Sequence, residues 1–270
     1  MGLRVNTNIA SLTSQKNLSQ ITGRLQGNFA RLSSGLRIAT AADDAAGLGI
    51  SERMRGQIRS YGQAGRNAQD GISMVQTAEG ALSEASNILV RMRELAVQAA
   101  NGTLSAADRT TINTEFTAVT SEIERIADET EFNGISLLNA ASTTSIQVGI
   151  DANQTIDIVT ADMQTAALAI DTLDTTTDAN ASAAITALDT AIDSVATQRG
   201  SFGADINRLQ SSYASILNAN ENLSAAESRI RDVDVAFETA DLSRNSIMQQ
   251  AATSVLAQAN TQPQLALSLL

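Results

Sequence analysis

The sequence contains no cysteine and no histidine. Disulfides, zinc sites built on Cys or His ligands and catalysis by a thiol are therefore excluded, and so is imidazole as a general base. The chain also has no tryptophan, and aromatic residues make up only 3% of it. The apolar content is instead dominated by alanine, leucine and isoleucine, which favours packing of helices on helices. A single proline, Pro263, leaves most of the chain open to long helices.

Positive charge is also scarce, because 18 Lys and Arg residues stand against 29 Asp and Glu. The net charge of -11 argues against nucleic acid as a partner. No lysine or arginine lies between Arg125 and Arg199, so this stretch is expected to face solvent as a polar outer region. No run approaches about 18 consecutive apolar residues, so membrane insertion is not expected. The first residues lack the apolar core of a secretory signal, so export is expected to leave the N-terminus uncleaved.

Two long heptad patterns dominate what is present. Apolar and small residues recur at alternating spacings of four and three over residues 54–96 and again over 185–223. The spacing predicts two coiled-coil helices, the first over about 45–100. The second helix should pack against the first, with the two ends of the chain side by side. Glycines in the first helix are either tolerated weaknesses or points of close helix approach: Gly56, Gly62, Gly65, Gly71 and Gly80.

Shorter signals divide the rest of the chain. Ser105 and Asp108 predict a capping box at the start of another helix, which a turn at residues 132–134 ends. Partial alternation of β-branched residues predicts a β-hairpin at about 143–160. Residues 171–184 are rich in Thr, Ser, Asp and Ala, and we expect an exposed polar link there.

The terminal segments carry narrow apolar stripes, each too narrow to hold a helix alone in water. We predict that the terminal helices pair, and that their apolar residues mediate self-assembly. The predicted residues are Ile9, Leu12, Leu18, Ile21, Leu25 and Leu32 near one end, and Ile247, Val255, Leu265, Leu267, Leu269 and Leu270 near the other. The predicted fold class is therefore mainly α, with long antiparallel helices in a coiled-coil-like bundle, a small β-hairpin, and paired N- and C-terminal helices.

No constellation of catalytic groups is present. Asp43 and Asp44 are adjacent carboxylates, but no nucleophile or base lies near them in the sequence. Capping of the following helix is much the better interpretation. We predict no catalytic, cofactor-binding or metal-binding residue, and we do not expect an enzyme.

Several longer segments are far more specific than any short motif. They are VNTNIASLTSQKNLSQ at the start, RLSSGLRIATAADDAAGLGISERMRGQIR at 31–59, RMRELAVQAANGT at 91–103, EFNGISLL at 131–138, and AESRIRDVDVAFETADLSRNSIMQQAATSVLAQANTQPQLALSLL at 226–270. These segments resemble bacterial flagellin, in a short form without outer variable domains. The resemblance implies an inner filament-core domain from residues 1–43 and 229–270, and a middle domain from residues 44–228.

The same resemblance implies a function and a set of partners. The chain would be a structural subunit that polymerises into the extracellular flagellar filament used for swimming motility, with terminal helices that fold on assembly. It would leave the cell by flagellar type III export, with an export chaperone, a filament cap and hook–filament junction proteins as partners. An animal Toll-like receptor for flagellin would bind it through Arg91, Leu95 and Glu115.

Two other functions stay open from the sequence. A hook–filament junction protein has termini of similar architecture and assembles in few copies. A cytoplasmic coiled-coil signalling module could also carry long heptads, although it does not require apolar termini.

Overall fold

Five helices and four short strands make up the described part of the chain. The computed structural model describes residues 7–267, with side chains as far as residue 262. The helices are α1 Ile9–Ser34, α2 Ala45–Ala99, α3 Ala106–Glu129, α4 Asp178–Arg231 and α5 Val235–Leu267. The strands are β1 Glu131–Phe132, β2 Ile135–Ser136, β3 Ser142–Gln147 and β4 Thr155–Thr160. The predicted mainly-α class with paired terminal helices and a small hairpin is confirmed. Over these same residues, no helix is both long and apolar enough to cross a membrane.

The contacts divide the chain into two units. The terminal unit contains the residues up to Ile58 and those from Glu221 onward, and the middle unit contains Arg59–Asn220. Both divisions fall inside continuous helices, since α2 and α4 each contribute to both units. The domain bounds at 43/44 and 228/229 come from the family resemblance and stay a prediction.

The middle unit has one apolar core, to which α2, α3 and α4 contribute together with the β3–β4 hairpin. Helices α2 and α4 are antiparallel, because Glu79 pairs with Arg199 while Arg93, further along α2, pairs with the earlier Asp189. The heptad seams of both helices supply many of the buried side chains. The largest fully buried ones are Phe116, Phe202, Leu82, Leu89, Met92, Leu95, Ile123, Leu137, Leu138, Ile158, Ile170 and Leu188.

The structure distinguishes the two interpretations of the glycines in α2. A Cβ atom at Gly71 would lie 3.2 Å from the Ile146 side chain and 3.4 Å from that of Leu209. At Gly65 the nearest atom would be 3.5 Å away, on Tyr213. Gly56, Gly62 and Gly80 have open space beside them. Close approach therefore explains Gly71. At Gly65 a Cβ would make only ordinary contacts, and Gly56, Gly62 and Gly80 are tolerated weaknesses.

The predicted hairpin is present as β3 and β4, which pair antiparallel from Ser142↔Thr160 to Gln147↔Thr155. Side chains of β4 alternate, so that Ile156 and Ile158 are buried against the helices. A second, smaller hairpin occurs where only a turn was expected. Its strands β1 and β2 flank Asn133 and Gly134, whose φ angles of 51° and 76° are the left-handed values that a tight hairpin turn requires.

The sequence predicted the start of α3 correctly and the start of α4 wrongly. The capping box before α3 is confirmed, since Asp108 N donates to Ser105 Oγ and Ser105 N donates to Asp108 Oδ2. The polar link over 171–184 is wrong beyond residue 177, because α4 begins at Asp178. Ala181 and Ala184 are buried in this first part of α4. Their small side chains pack closely but carry no strong hydrophobic period, so the sequence signal began only later.

The segment between β4 and α4 is held against α3 by two side chains. Glu124 Oε2 accepts hydrogen bonds from both the backbone N–H and the hydroxyl of Thr165, at 2.7 and 2.6 Å. Asn113 Oδ1 accepts from the backbone N–H and hydroxyl of Thr175 in the same way, at 2.8 and 3.2 Å. This acidic stretch is therefore anchored at two points rather than extended away from the helices.

Candidate self-assembly surface

The two terminal helices pack against each other as an antiparallel pair. Asn28 of α1 contacts Glu238 near the start of α5, whereas Ser11 contacts Asn260 much further along it. Leu25 and Ala259 are the only buried apolar side chains among the described residues of these two helices. Other apolar side chains of the pair, such as Leu18, Ile21 and Leu32, are only half-buried, so the fully buried apolar part of this contact is small.

Polar side chains occupy the buried centre of this pair. Asn28 Nδ2 and Arg31 Nε both donate to Glu238 Oε1 at 2.8 Å. Asn245 Nδ2 donates to Asn28 Oδ1 at 3.0 Å. Asn28, Glu238 and Asn245 are all buried, and we call them the polar cluster. Every buried side-chain nitrogen and oxygen in the described part of the chain has a hydrogen-bond partner, as stable interiors require.

A second set of polar contacts joins the helices near the start of α1. Ser11 Oγ donates to Asn260 Oδ1 at 2.7 Å, and Asn8 Nδ2 donates to Ala259 O at 2.7 Å. Asn8 also caps α1, since its Oδ1 accepts from Ser11 N. One end of α1 is thus tied both to its own first turn and to α5.

Large apolar side chains on α1 and α5 point away from this contact. Seven of them are between 57% and 66% exposed, far more than the side chains of a folded core. We call this set the outer apolar face. It consists of Ile9, Leu12, Phe29, Val235, Phe237, Ile247 and Val255.

The residues predicted for self-assembly are distributed over the whole helix pair. Ile9, Leu12, Ile247 and Val255 belong to the outer apolar face. Leu18, Ile21 and Leu32 are half-buried and Leu25 is buried. The side chains of Leu265, Leu267, Leu269 and Leu270 lie outside the described ones. Phe29 lies four residues after Leu25 and three before Leu32, so it fits the α1 stripe and was overlooked, as were Val235 and Phe237 at the start of α5. An aromatic residue in a chain with few of them was a usable signal.

The connection between α1 and α2 is fixed to the end of α4. The backbone N–H of Arg37 donates to Arg231 O at 2.7 Å, and Val233 N donates to Gly35 O at 3.0 Å. Gly35 ends α1 in the left-handed conformation, with φ 71°. The Arg231 guanidinium lies 2.6 Å from Glu52 and holds the pKa of that carboxyl below its ordinary value.

The two adjacent carboxylates have structural roles. Asp44 Oδ1 accepts from Ala46 N and Gly47 N and so caps α2, which confirms the capping interpretation for this residue. Asp43 instead closes the preceding turn, since its Oδ2 accepts from the backbone N–H groups of Ala39 and Thr40. The Thr40 N–H is the main reason that the pKa of Asp43 lies below its ordinary value.

The three residues of the implied receptor site are not equally accessible. Arg91 Nη2 donates to Glu115 Oε1 at 2.7 Å, and both side chains are about half exposed. This contact and a second one to Glu94 raise the pKa of Arg91. Leu95 lies in the core of the middle unit, with 1% of its surface exposed.

Comparison with known proteins covers almost the whole chain. Residues 5–144 match the family model described as the bacterial flagellin N-terminal helical region, and residues 185–270 match the C-terminal helical region. A flagellin of Halalkalibacterium halodurans is 46% identical over 98% of this chain and 99% of its own length. A flagellin of Bacillus subtilis is 43% identical over 99% of this chain and all of its own length. The crystal structure of Bacillus cereus flagellin superposes with a TM-score of 0.52 at 37% identity, over 60% of this chain and 94% of that one.

Proposed function

The chain belongs to the bacterial flagellin family and is a structural subunit of the flagellar filament, and we propose that it assembles through the outer apolar face of α1 and α5. Flagellins are structural proteins and not enzymes. The near full-length similarity decides against a coiled-coil signalling module.

The observation that carries the proposal is the exposure of seven large apolar side chains on two adjacent helices. Removing apolar surface from water is favourable by roughly 25 cal/mol per Å², so a neighbouring subunit that covers this face would stabilise the assembly. Large apolar side chains left exposed on a pair of packed helices favour a surface that another protein covers. Contacts between different patches of identical subunits generate open helical filaments when the arrangement does not close into a ring.

The small contact between α1 and α5 supports a second part of the proposal. With only Leu25 and Ala259 as buried apolar side chains in the described pair, the helices gain little from each other alone. We propose that they fold fully only when neighbouring copies cover them, so that folding and assembly are coupled. The inner filament-core domain would then comprise residues 1–43 and 229–270, and the middle domain residues 44–228.

The exposed apolar side chains also bear on export of the chain and on its partner proteins. Apolar side chains such as Phe237, Ile247 and Val255 would cause aggregation inside the cell if nothing covered them. We propose that an export chaperone shields this segment, and that the chain passes unfolded through the type III apparatus without signal cleavage. The filament cap and the hook–filament junction proteins would contact the same helix pair at the two filament ends.

For the animal Toll-like receptor, we propose that Arg91 and Glu115 form the accessible contact and that Leu95 supports them from beneath. The test compares receptor activation by free subunits with that by intact, cross-linked filaments. Activation by subunits only is expected, because neighbouring copies would cover this face. Equal activation by both samples would contradict the proposal.

Seeded polymerisation tests the assembly surface directly. Short filament fragments are mixed with the full chain carrying Ile247→Asp and Val255→Asp, and growth is followed by negative-stain electron microscopy. We expect no elongation, because two carboxylates would have to be buried between subunits. A chain lacking residues 229–270 should also fail to grow.

The matched control is Val159→Asp, which adds a carboxylate at an exposed apolar position on β4. This variant should form filaments at the normal rate. Normal growth of the Ile247→Asp, Val255→Asp chain would refute the outer apolar face as the assembly surface.

A further inference from the structure

The unusual feature of the terminal helix pair is that polar rather than apolar side chains fill its buried centre. We propose that the polar cluster of Asn28, Glu238 and Asn245 selects one alignment of α1 against α5. The alignment itself does not depend on the proposed assembly surface. Its consequence for filament growth does rest on that proposed function.

Apolar packing alone would specify this alignment weakly. Leu25 and Ala259 are the only buried apolar side chains among the described residues of the pair. Helices that pack through heptad-like stripes can slip by seven residues and still present similar faces to each other. In such pairs a buried polar residue can set register, because a wrong alignment leaves it without a partner.

The polar cluster has the geometry that this role requires. Asn28 is 1% exposed, and Glu238 and Asn245 are each 6% exposed. Asn28 uses its amide nitrogen on Glu238 and its amide oxygen on Asn245, so both ends of its side chain are satisfied by α5. Arg31 adds a charged hydrogen bond to the same oxygen of Glu238. Glu238 and Asn245 lie seven residues apart on α5, and Asn28 lies between them.

A slip of one heptad breaks this arrangement in either direction. In one direction Asn28 would face Arg231 and Glu238, and Asn245 would move opposite Ser14 and Ile21. In the other direction Glu238 would move beyond Ser34, where α1 ends. Each slip removes the partners of at least one buried polar side chain, and an unsatisfied buried polar group is strongly disfavoured.

Contacts near the start of α1 agree with the same alignment. Ser11 with Asn260, and Asn8 with the carbonyl of Ala259, meet only when Asn28 lies between Glu238 and Asn245. The two sets of contacts lie near opposite ends of α1. The described helix pair therefore has one alignment in which all of its buried polar groups are paired.

Alignment matters for assembly because it positions the outer apolar face. A seven-residue slip would move Phe237, Ile247 and Val255 by about 10 Å relative to Ile9 and Leu12, at about 1.5 Å per residue. A neighbouring subunit would then meet these side chains in a different arrangement, so a slipped subunit would join the filament more slowly while still being incorporated. The polar cluster thereby acts as a set of positioning residues for polymerisation.

The alignment can be measured by pulsed electron spin resonance. Because the chain has no cysteine, Ser33→Cys and Ser254→Cys place spin labels at two unique exposed sites, one on each helix and well separated along the helix axes. Labelled chains are diluted with unlabelled ones in seeded filaments, so that only distances within a subunit are recorded. The native sequence should show one distance.

The variant Asn28→Leu with Asn245→Leu replaces the amides by apolar groups of similar size. We expect a second population of label-to-label distances, which differs from the native distance by somewhat less than about 10 Å. The matched control Asn17→Leu with Gln250→Leu adds the same side chains at exposed positions and should keep one distance. A single unchanged distance in the Asn28→Leu, Asn245→Leu filaments would overturn the proposal, while the Ile247→Asp, Val255→Asp result judges the assembly surface separately.

If the Asn28→Leu, Asn245→Leu chain forms no filaments, a second experiment tests the polar cluster by exchanging the residues at positions 28 and 238. Asn28→Glu alone sets two carboxylates together and should slow seeded elongation at least about tenfold. Adding Glu238→Asn restores one carboxylate that can accept from Arg31 and the two amides. Elongation should then return to within about threefold of the native rate. If the exchanged pair grows no faster than Asn28→Glu alone, the polar cluster does not select the alignment.

Discussion

Glu79 on α2 and Arg199 on α4 form an ion pair with 2.7 Å between Oε1 and Nη2, in the middle of two heptad seams. Arg199 also donates to the same oxygen through Nε, at 3.1 Å. Both side chains keep roughly a third of their surface exposed. The charges therefore sit at the edge of the helix interface, where they can specify which positions face each other without being buried.

The Glu79–Arg199 pair should contribute a small coupling energy. In a double-mutant cycle with Glu79→Ala and Arg199→Ala, we expect about 0.5–1 kcal/mol, because solvent screens a partly exposed pair. Urea denaturation of the four chains measures it. The sequence-local pair Glu122–Arg125 serves as the comparison and should give a smaller coupling, since both partners lie on α3. A coupling near zero would show that the pair does not help to align α2 with α4.

Substitution by alanine should stabilise the chain at Gly80 but not at Gly71. Gly80→Ala should stabilise the chain by about 0.5–1 kcal/mol, because the site is open and alanine favours the helix. At Gly71 the new Cβ would lie 3.2 Å from Ile146 Cγ1 and 3.3 Å from its Cγ2, so the hairpin would have to shift. We therefore expect Gly71→Ala to be less stable than Gly80→Ala by about 1 kcal/mol or more. Equal urea midpoints would contradict the close approach.

Leu95→Ala should reduce receptor activation by loosening the fold. Leu95 is buried, so its truncation is expected to cost about 2–5 kcal/mol. Val97 is 49% exposed two residues away, and Val97→Ala should change stability by less than about 0.5 kcal/mol. Arg91→Ala should lower activation while the circular dichroism and urea midpoint stay near native. If Leu95→Ala lost activation at native stability, the side chain would have to contact the receptor directly.

Acid should unfold the chain through carboxyl groups alone. The pKa of Asp174 is held below its ordinary value of 3.8, mainly by the Asn180 amide and then by Thr176. Arg93 lowers the pKa of Asp189, and Ser105 lowers that of Asp108. For a depressed pKa, the stabilisation is fully present above the unfolded value and is lost as pH falls through the folded one. Because the chain has no histidine, stability should be nearly constant between about pH 5 and 8 and fall below about pH 4.

The acid dependence is checked by urea midpoints measured from neutral pH downward. Asp174→Asn should show a shallower loss below about pH 4, because one depressed carboxyl is gone. Asp171→Asn removes an exposed carboxylate from the same segment and controls for net charge. A native chain that kept its full stability at about pH 3 would contradict a role for these carboxyl groups.

Local features of the fold could be predicted because their causes lie within a few residues. Ser105 and Asp108 form the capping box by themselves, and the β-branched alternation produces the β3–β4 hairpin. The start of α4 was missed because Ala181 and Ala184 are buried through close packing, for which small side chains carry little periodic signal. Of the outer apolar face, the stripes identified Ile247 and Val255 but not Phe237. A stripe shows which residues share a helix face, and it does not show whether another helix covers that face.

The sequence by itself determined the long helices, the heptad seams, the lack of catalytic chemistry and the membership in a family of filament subunits. These properties depend on composition, on hydrogen bonds between near neighbours, and on extended residue patterns. Only the tertiary structure decided that Asn28 and Glu238 meet in a buried cluster, that Leu95 lies in the core, and which apolar side chains of α1 and α5 are left uncovered. The reason is that burial is a property of contacts between residues far apart in the chain, and Asn28 and Glu238 are separated by 210 positions.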